Sequence, residues 1–375
     1  MIIHYILNFI SLYFKMDSVF QHYSELEKEH IEEVGQPQMI PLPSEPTRKL
    51  KINAEDLLEN GKEDELLLLT NFSISQFNEL YEGIQQIVEH RIHSDSMVSP
   101  KTRFLMTLVY CKFDEPWRKF SLNFGINFSY AQKIVLNFIK STKDSLVKNY
   151  INWISVSERI TKFNLHIDDF PTLVGSLDAT VQMISRPGQN QKAYYSGKHK
   201  YHCVKTQAFV SPTGFLIHFS KTVEGKIHDF NLFKQSDLDS KLINENNNCR
   251  SLFGNDCISL ADSGYQGISK LLPFFITPFK KSRGGQLSPE KVLKNKTISK
   301  HRIIVENWFG RLKILWRIMS IAYNLDLETY SDVWQFCAAL TNFHIANHPL
   351  RKLEPGVNLS LEEEEEEEAE DENSD

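Results

Sequence analysis

Cysteine is scarce in this chain. Cys111, Cys203, Cys249, Cys257 and Cys337 are odd in number, and no pair has a C-x-x-C spacing. That argues against a disulfide framework and a zinc site, and it points to a reducing compartment. Long apolar runs are missing too. The stretch from Met1 to Phe14 is apolar but short for a membrane span. It has neither a basic leader nor a small-residue cleavage site, so no signal peptide is expected. Met16 opens an ordinary polar sequence, and translation is expected to start there. Basic residues disappear at the far end. Leu361 to Asp375 holds eleven carboxylates and no Lys or Arg, so a formal charge of −6 conceals +5 on the rest of the chain. A mildly basic body of that kind is compatible with nucleic acid without being diagnostic of it.

What is present is enough for a sizeable core. A chain of 375 residues with 41% hydrophobic content suits two domains. The stretch Leu173-Val-Gly-Ser-Leu-Asp-Ala-Thr-Val-Gln-Met-Ile184 lies between Pro171 and Arg186-Pro187-Gly188 and reads as a buried strand bounded by breakers. Asp178 interrupts it. A buried, ionised carboxylate needs a partner, so Asp178 belongs at an open strand end or on a cation, and a metal ligand is the preferred reading over a structural turn cap. Cys257-Ile-Ser-Leu-Ala-Asp-Ser-Gly-Tyr265 repeats the design, with Asp262 at the end of an apolar strand that breaks at Gly264. The segment Lys300 to Met319 reads as a helix carrying Glu306. At about 100° per residue, Arg302, Glu306, Lys313 and Arg317 share one strip, while Ile304, Val305, Trp308, Leu312 and Leu315 face away.

Taken in order, Met16 to Lys62 is polar, with Pro37, Pro41, Pro43 and Pro46, and is expected to be a linker or weakly ordered arm. Order is expected to begin at Ser73, where Ser73-Ile-Ser-Gln76 is a capping box, and Ser99-Pro100 starts a further helix. A short helix from Glu115 ends at Gly125. A second capping box, Ser129-Tyr-Ala-Gln132, then opens a helix to about Thr142. Helix, Gly-containing turn and helix is the helix-turn-helix pattern. Ile134, Val135 and Phe138 would pack inward, leaving Gln132, Lys133, Asn137 and Lys140 as DNA contacts. Spacing alone favours an ordinary helical hairpin.

Beyond Asp178, Lys198 to Val210, a Ser211-Pro-Thr-Gly214 turn and Phe215 to Phe219 form a hairpin beside the Asp178 strand. Lys198 and Lys200 lie at its start, as phosphate contacts or as a solvated strand end. Asp229 is expected to cap the next helix; the sharper reading makes it an auxiliary carboxylate near a metal, with Glu224 a further acid in reserve. From Lys280 to Arg302 a cationic loop, with Lys280, Lys281 and Arg283, is as well suited to a nucleic-acid backbone as to solvent. The last helix runs from Ser331 to about Asn347. His344 and His348 lack a third ligand in their segment and read as surface or satisfied core histidines.

Five motifs in order resemble the PIF/Harbinger transposases of the DDE endonuclease superfamily, which are themselves similar to bacterial IS5-like transposases. They are Gly175-Ser-Leu-Asp-Ala-Thr180; Tyr195-Ser-Gly-Lys-His-Lys200 with Val204-Lys-Thr-Gln207; His228-Asp229; Ala261-Asp-Ser-Gly-Tyr265; and Val305-Glu-Asn-Trp-Phe-Gly-Arg-Leu-Lys313. The resemblance covers about Ser73 to His348. It implies a catalytic triad of Asp178, Asp262 and Glu306, which would also hold metal; Asp229 as an auxiliary ligand is the sharper reading of the residues given above. It implies an α/β fold, an RNase H-like mixed sheet with flanking helices preceded by an all-α helix-turn-helix domain. The cofactor it implies is Mg²⁺ or Mn²⁺, used in two-metal cleavage.

The expected organisation is an arm at 1–62, with 1–15 untranslated, a helix-turn-helix domain at 63–150, a nuclease domain at 165–348 and an acidic disordered tail at 349–375. The expected function is a nuclear transposase-type endonuclease that cuts and transfers DNA strands. Its DNA contacts are Gln132, Lys133, Asn137, Lys140, Lys198, Lys200, Lys280, Lys281, Arg283, Arg302 and Lys313. Its partners are transposon ends and target DNA, with no membrane, and the resemblance leaves room for further copies of the chain and an accessory DNA-binding protein. The alternative is a domesticated, non-catalytic DNA-binding or partner-recruiting protein.

Overall fold

Local signals set the helix boundaries in the computed structural model, which describes residues 50–90, 97–281 and 285–351. Most of the expected arm, Arg283 and nearly all of the acidic tail lie outside those residues. Helices come first: α1 Ala54–Glu59, α2 Glu63–Thr70, α3 Ile74–Glu82, α4 Gln85–Glu89, α5 Pro100–Phe113, α6 Trp117–Phe124, α7 Phe128–Tyr150 and α8 Val156–Phe163. Ser73 and Gln76 make both bonds of the expected capping box on α3. Ser99 caps α5 with Pro100 in its first turn, and Gly125 ends α6 at a φ of 70°.

Two expectations here are corrected. Order begins before Ser73, because Asn53 caps α1 and the apolar Ala54, Leu57 and Leu66 are buried. The helix after Gly125 is capped by Asn127, whose side chain accepts from the Ser129 N–H at 2.9 Å, so the Ser129–Gln132 box lies inside it. That helix also passes Thr142 and runs to Tyr150, because Thr142 and Leu146 keep its buried stripe going.

The second half alternates. It contains β1 Leu173–Met183, α9 Gln191–Tyr194, β2 Tyr195–Ser196, β3 Tyr201–Val210, β4 Leu216–Phe219, β5 Val223–Glu224, α10 Asp229–Lys234 and α11 Leu238–Phe253. Then come β6 Ile258–Ala261, α12 Ile268–Leu271, β7 Phe275–Ile276, α13 Pro289–Leu315 and α14 Leu327–Asn347. Among the described residues the strands form one mixed sheet in the order β2-β3-β1-β6-β7, with β4 and β5 also paired to β3. β3 is antiparallel to β1, whereas β6 runs parallel to it. A third expectation is corrected in α13. Part of the cationic stretch read as loop is helical from Pro289, with Ser288 as its N-cap.

Alternation along β1 and β3 splits the core. Val204, Ala208 and Val210 join Ile304, Val305, Trp308 and the α5, α7 and α14 side chains in one cluster. Leu177 and Phe209 belong to a second, on the opposite face, with Phe233 and Tyr265. The helices before the sheet are therefore built into the same core as the sheet. Asn342 of α14 fastens this junction. Its Oδ1 accepts from the Leu216 N–H and the Trp308 indole at 3.0 Å each, and its Nδ2 donates to the carbonyls of Tyr150 and Leu216 at 2.8 Å each. A buried amide with every bond made specifies one arrangement of its neighbours.

Candidate functional site

β1 is longer than the parallel strand beside it. The β1–β6 register ends at Leu177 opposite Ala261, and the next residues are Asp178 and Asp262. Past that point β6 turns away into a short 3₁₀ segment, Ser263–Tyr265, and β1 changes from fully buried to half-buried. Asp262 thus stands just past the carboxyl end of β6, where open α/β sheets form ligand crevices, and Asp178 lies in the middle of β1, at the point where the two parallel strands part. Asp178 pairs across the sheet with Ala208, which places its side chain on the α13 face. Its Oδ1 accepts from the Ala179 N–H at 2.7 Å. Burial pushes its carboxyl up to about 6, with Asp262 and Glu306 adding to the rise while that N–H and Arg302 oppose it. Asp262 caps its own turn, accepting from the Gly264 N–H at 3.2 Å.

Glu306 reaches the same place from α13. Arg302, one turn earlier, bonds Glu306 through Nη2 and stands 3.4 Å from Asp178 Oδ2 through Nη1. The guanidinium therefore lies between two of the three expected acids, whereas sequence reasoning had assigned it to DNA. Ile304, Val305 and Trp308 are buried as the helical spacing requires.

Asp229 does not cap its helix. His228 occupies the cap position, with no side-chain bond to the helix. The carboxylate of Asp229 instead accepts from Lys205 Nζ at 2.7 Å, and the same ammonium donates to the Ile227 carbonyl at 2.8 Å. Lys205 was missed by sequence reasoning, although a charge inside the apolar run of β3 is the same kind of exception as Asp178. Gly264 leaves the space that Asp229 occupies: a Cβ on it would lie 2.6 Å from Asp229 Oδ2, and the carboxylate would have to shift. Asp178, Asp262, Asp229 and Lys205, with Lys198, His199 and His228, line one cavity of about 380 Å³. Tyr265 is wholly buried near Asp229, Asp178 and Asp262, and its hydroxyl is unpartnered.

The remaining expected contacts are dispersed. Lys198 and Lys200 are exposed on the turn between β2 and β3, with Lys200 at a φ of 66°. Lys313 is half-buried, and burial lowers its ammonium. Lys280 and Lys281 are exposed before α13. Lys133, Asn137 and Lys140 are exposed and Gln132 half-buried on α7, opposite the buried Ile134, Val135 and Phe138. His344 is a satisfied histidine: its Nδ1 takes a bond from Arg311 at 3.1 Å, and its ring lies 4.6 Å from that of His348.

The donor set suits a hard divalent cation, since Asp178, Asp262 and Glu306 offer carboxylate oxygens only. The Arg302 guanidinium between Asp178 and Glu306 is a cation already seated at that position. Among the described residues, however, no three His, Cys, Asp or Glu side chains converge closely enough to hold one ion.

Comparison with known proteins gives two similarities. Residues 177–342 match the family model described as DDE superfamily endonuclease. A probable transposase for insertion sequence element IS702 from Microchaete diplosiphon is 33% identical over 171 residues, which are 45% of this chain and 56% of that protein. The match thus spans little more than half of that relative's length. The segment that carries Asp178, Asp262 and Glu306 is thus similar to a DDE superfamily endonuclease domain, and the chain is similar to an insertion-sequence transposase.

Proposed function

We propose that this protein is a transposase of the PIF/Harbinger type, which cuts DNA and transfers the cut strand with divalent cations held by Asp178, Asp262 and Glu306. The observation that carries the proposal is the β1–β6 register, which ends one residue before each of two aspartates. Two acids so placed, with a third on the helix crossing the same face, are the kind of donor set that an RNase H-like nuclease uses. The chemistry such ions supply is activation of water or a 3′-hydroxyl and stabilisation of the leaving oxygen. Asp178, Asp262 and Glu306 would hold the ions, and Glu306 would be free to do so once Arg302 leaves it. Arg302, once released, stays beside the scissile phosphate as a counter-charge. Asp229 is held by Lys205 and bounds the cavity on the other face. In this reading α6, Gly125 and α7 form a helix-turn-helix that offers Gln132, Lys133, Asn137 and Lys140 to the major groove.

A nicking assay with DNA and Mg²⁺ tests the proposal. The wild-type protein should nick its substrate only with the ion, and Asp178→Asn should abolish nicking without unfolding, because the amide nearly matches the acid in shape. Full nicking by that variant would overturn the assignment of Asp178.

A further inference from the structure

The acidic cavity does not stand alone. It shares Lys226, Ile227 and His228 with a second concavity of about 620 Å³ between β5 and α10, which extends to Lys234. It shares Gly197 and Lys226 with a third, of about 510 Å³, which reaches Lys192, Tyr195 and His202. Lys226 therefore lines all three, and the surface forms one continuous trough that leads away from the carboxylates. Charge shifts along it, from Asp178, Asp229 and Asp262 at the inner end to Lys192, Lys226 and Lys234 farther out, with Glu224 beside them. Lys205 is committed to Asp229, whereas Lys192 and Lys226 are exposed and have no carboxylate partner among the described residues. The wall is rigid at its centre, because the Lys226 N–H donates to the Ala193 carbonyl at 3.0 Å and the Gly225 N–H to that of Cys203 at 2.9 Å. Tyr195 is 41% exposed beside it, its ring near-perpendicular to His202 at 5.4 Å.

We infer that the trough is the path of a single DNA strand running from the cleavage centre, with Lys192 and Lys226 on its phosphates and Tyr195 stacked on a base. The inference rests on the DNA-cleaving reading and extends it to a surface outside the acids. A groove with unpaired lysines and an exposed aromatic ring is the way proteins hold unpaired strands, because every base has a π-face and every nucleotide a phosphate. A duplex, with its bases stacked internally, would leave Tyr195 without a partner.

Binding of a fluorescently labelled oligonucleotide, alone or paired with its complement, tests this by anisotropy with Ca²⁺ in place of Mg²⁺. Lys192→Glu with Lys226→Glu should weaken single-strand binding by about tenfold or more. It should also flatten the plot of log affinity against log salt by about 0.7 for each lost phosphate contact. Tyr195→Ala should weaken single-strand binding by about tenfold and leave duplex binding alone. Melting curves of these exposed-site variants should match that of wild type. Unchanged single-strand affinity in the variants, or no single-strand binding by wild type, would overturn the trough. Equal losses on strand and duplex in Tyr195→Ala would overturn the assignment to an unpaired strand. The cleavage reading is separable, because it is read from nicking in Mg²⁺ and the trough from binding in Ca²⁺. If wild type binds the strand through these residues and never nicks, the trough stands and the nuclease reading falls.

Discussion

Asp178 is where folding and function oppose each other. In the unfolded chain its carboxyl has an ordinary value of 3.8, and burial raises it to about 6 in the folded protein. The folded state thus binds the proton more tightly, so stability is lost as pH rises from about 4 to about 6 and stays lost above. At neutral pH that loss is on the order of 1–3 kcal/mol. Asp178→Asn, which removes the charge, should therefore raise the melting temperature of the metal-free protein at pH 7 even as it removes cleavage. A lower melting temperature in the variant would show that the Arg302 contact outweighs the burial. Glu306 is placed differently, since its carboxylate is half exposed and already bonded to Arg302. If it also holds metal, Glu306→Gln should lose most nicking in Mg²⁺ and keep more in Mn²⁺, which binds such sites more tightly. If it serves only Arg302, an exposed ion pair worth about 0–1 kcal/mol is lost and nicking hardly changes with either ion. Rates of the variant in the two ions, beside a melting curve, decide between them.

At the scale of elements, much was legible, and the misses have physical causes. Ser99-Pro100 and Ser288-Pro289 carry the same helix-start signal, Ser at the cap with Pro in the first turn. The first stood before an apolar stripe and was read. The second stood in a cationic stretch whose early turns are exposed, and charge obscured it. Asp178 and Asp262 were legible because a carboxylate interrupts each apolar run, although Asp178 lies inside its strand and not at an end. Their adjacency was implied only by the family resemblance, because parallel register joins residues more than eighty positions apart and no local pattern encodes it. Lys205 was passed over because a lysine's long apolar stem can lie in a strand while its head escapes to water; here the head finds Asp229. The contact of α13 with α14 has its own pH dependence. His344 is pushed down to about 4, by burial first and then by His348 and Arg311. The unfolded histidine takes its proton near 6.5 and the folded one does not, so stability present above 6.5 is lost as pH falls towards 4. The loss should reach about 2–3 kcal/mol. Melting curves at several pH values should show it in wild type and much less of it in His344→Gln.

At the scale of the whole molecule, the described residues are built around one sheet with a core on each face. Five buried, unpaired cysteines agree with a chain that relies on packing rather than on cross-links. The sequence places the two aspartates on two strands and Glu306 on a helix, and a mixed sheet with a crossing helix is what the structure has, with Asp178 inside β1 and Asp262 just past β6. What no pattern could foretell is how α7 is mounted. It is joined to α14 by Tyr150 against Phe343 at 5.2 Å, by Lys143 to Asp332 at 3.2 Å and by the Asn342 amide. Asn342 has a consequence for the proposed enzyme. With the helix proposed to read DNA and the helix that carries Glu306 fastened to the same amide, the proposed enzyme would be a ruler rather than a tethered blade. The number of base pairs between the sequence recognised and the phosphate broken should then be a constant of the fold. Mapping cut positions at single-nucleotide resolution should give one offset, and Asn342→Ala, by loosening the mount, should scatter it before it slows the cut.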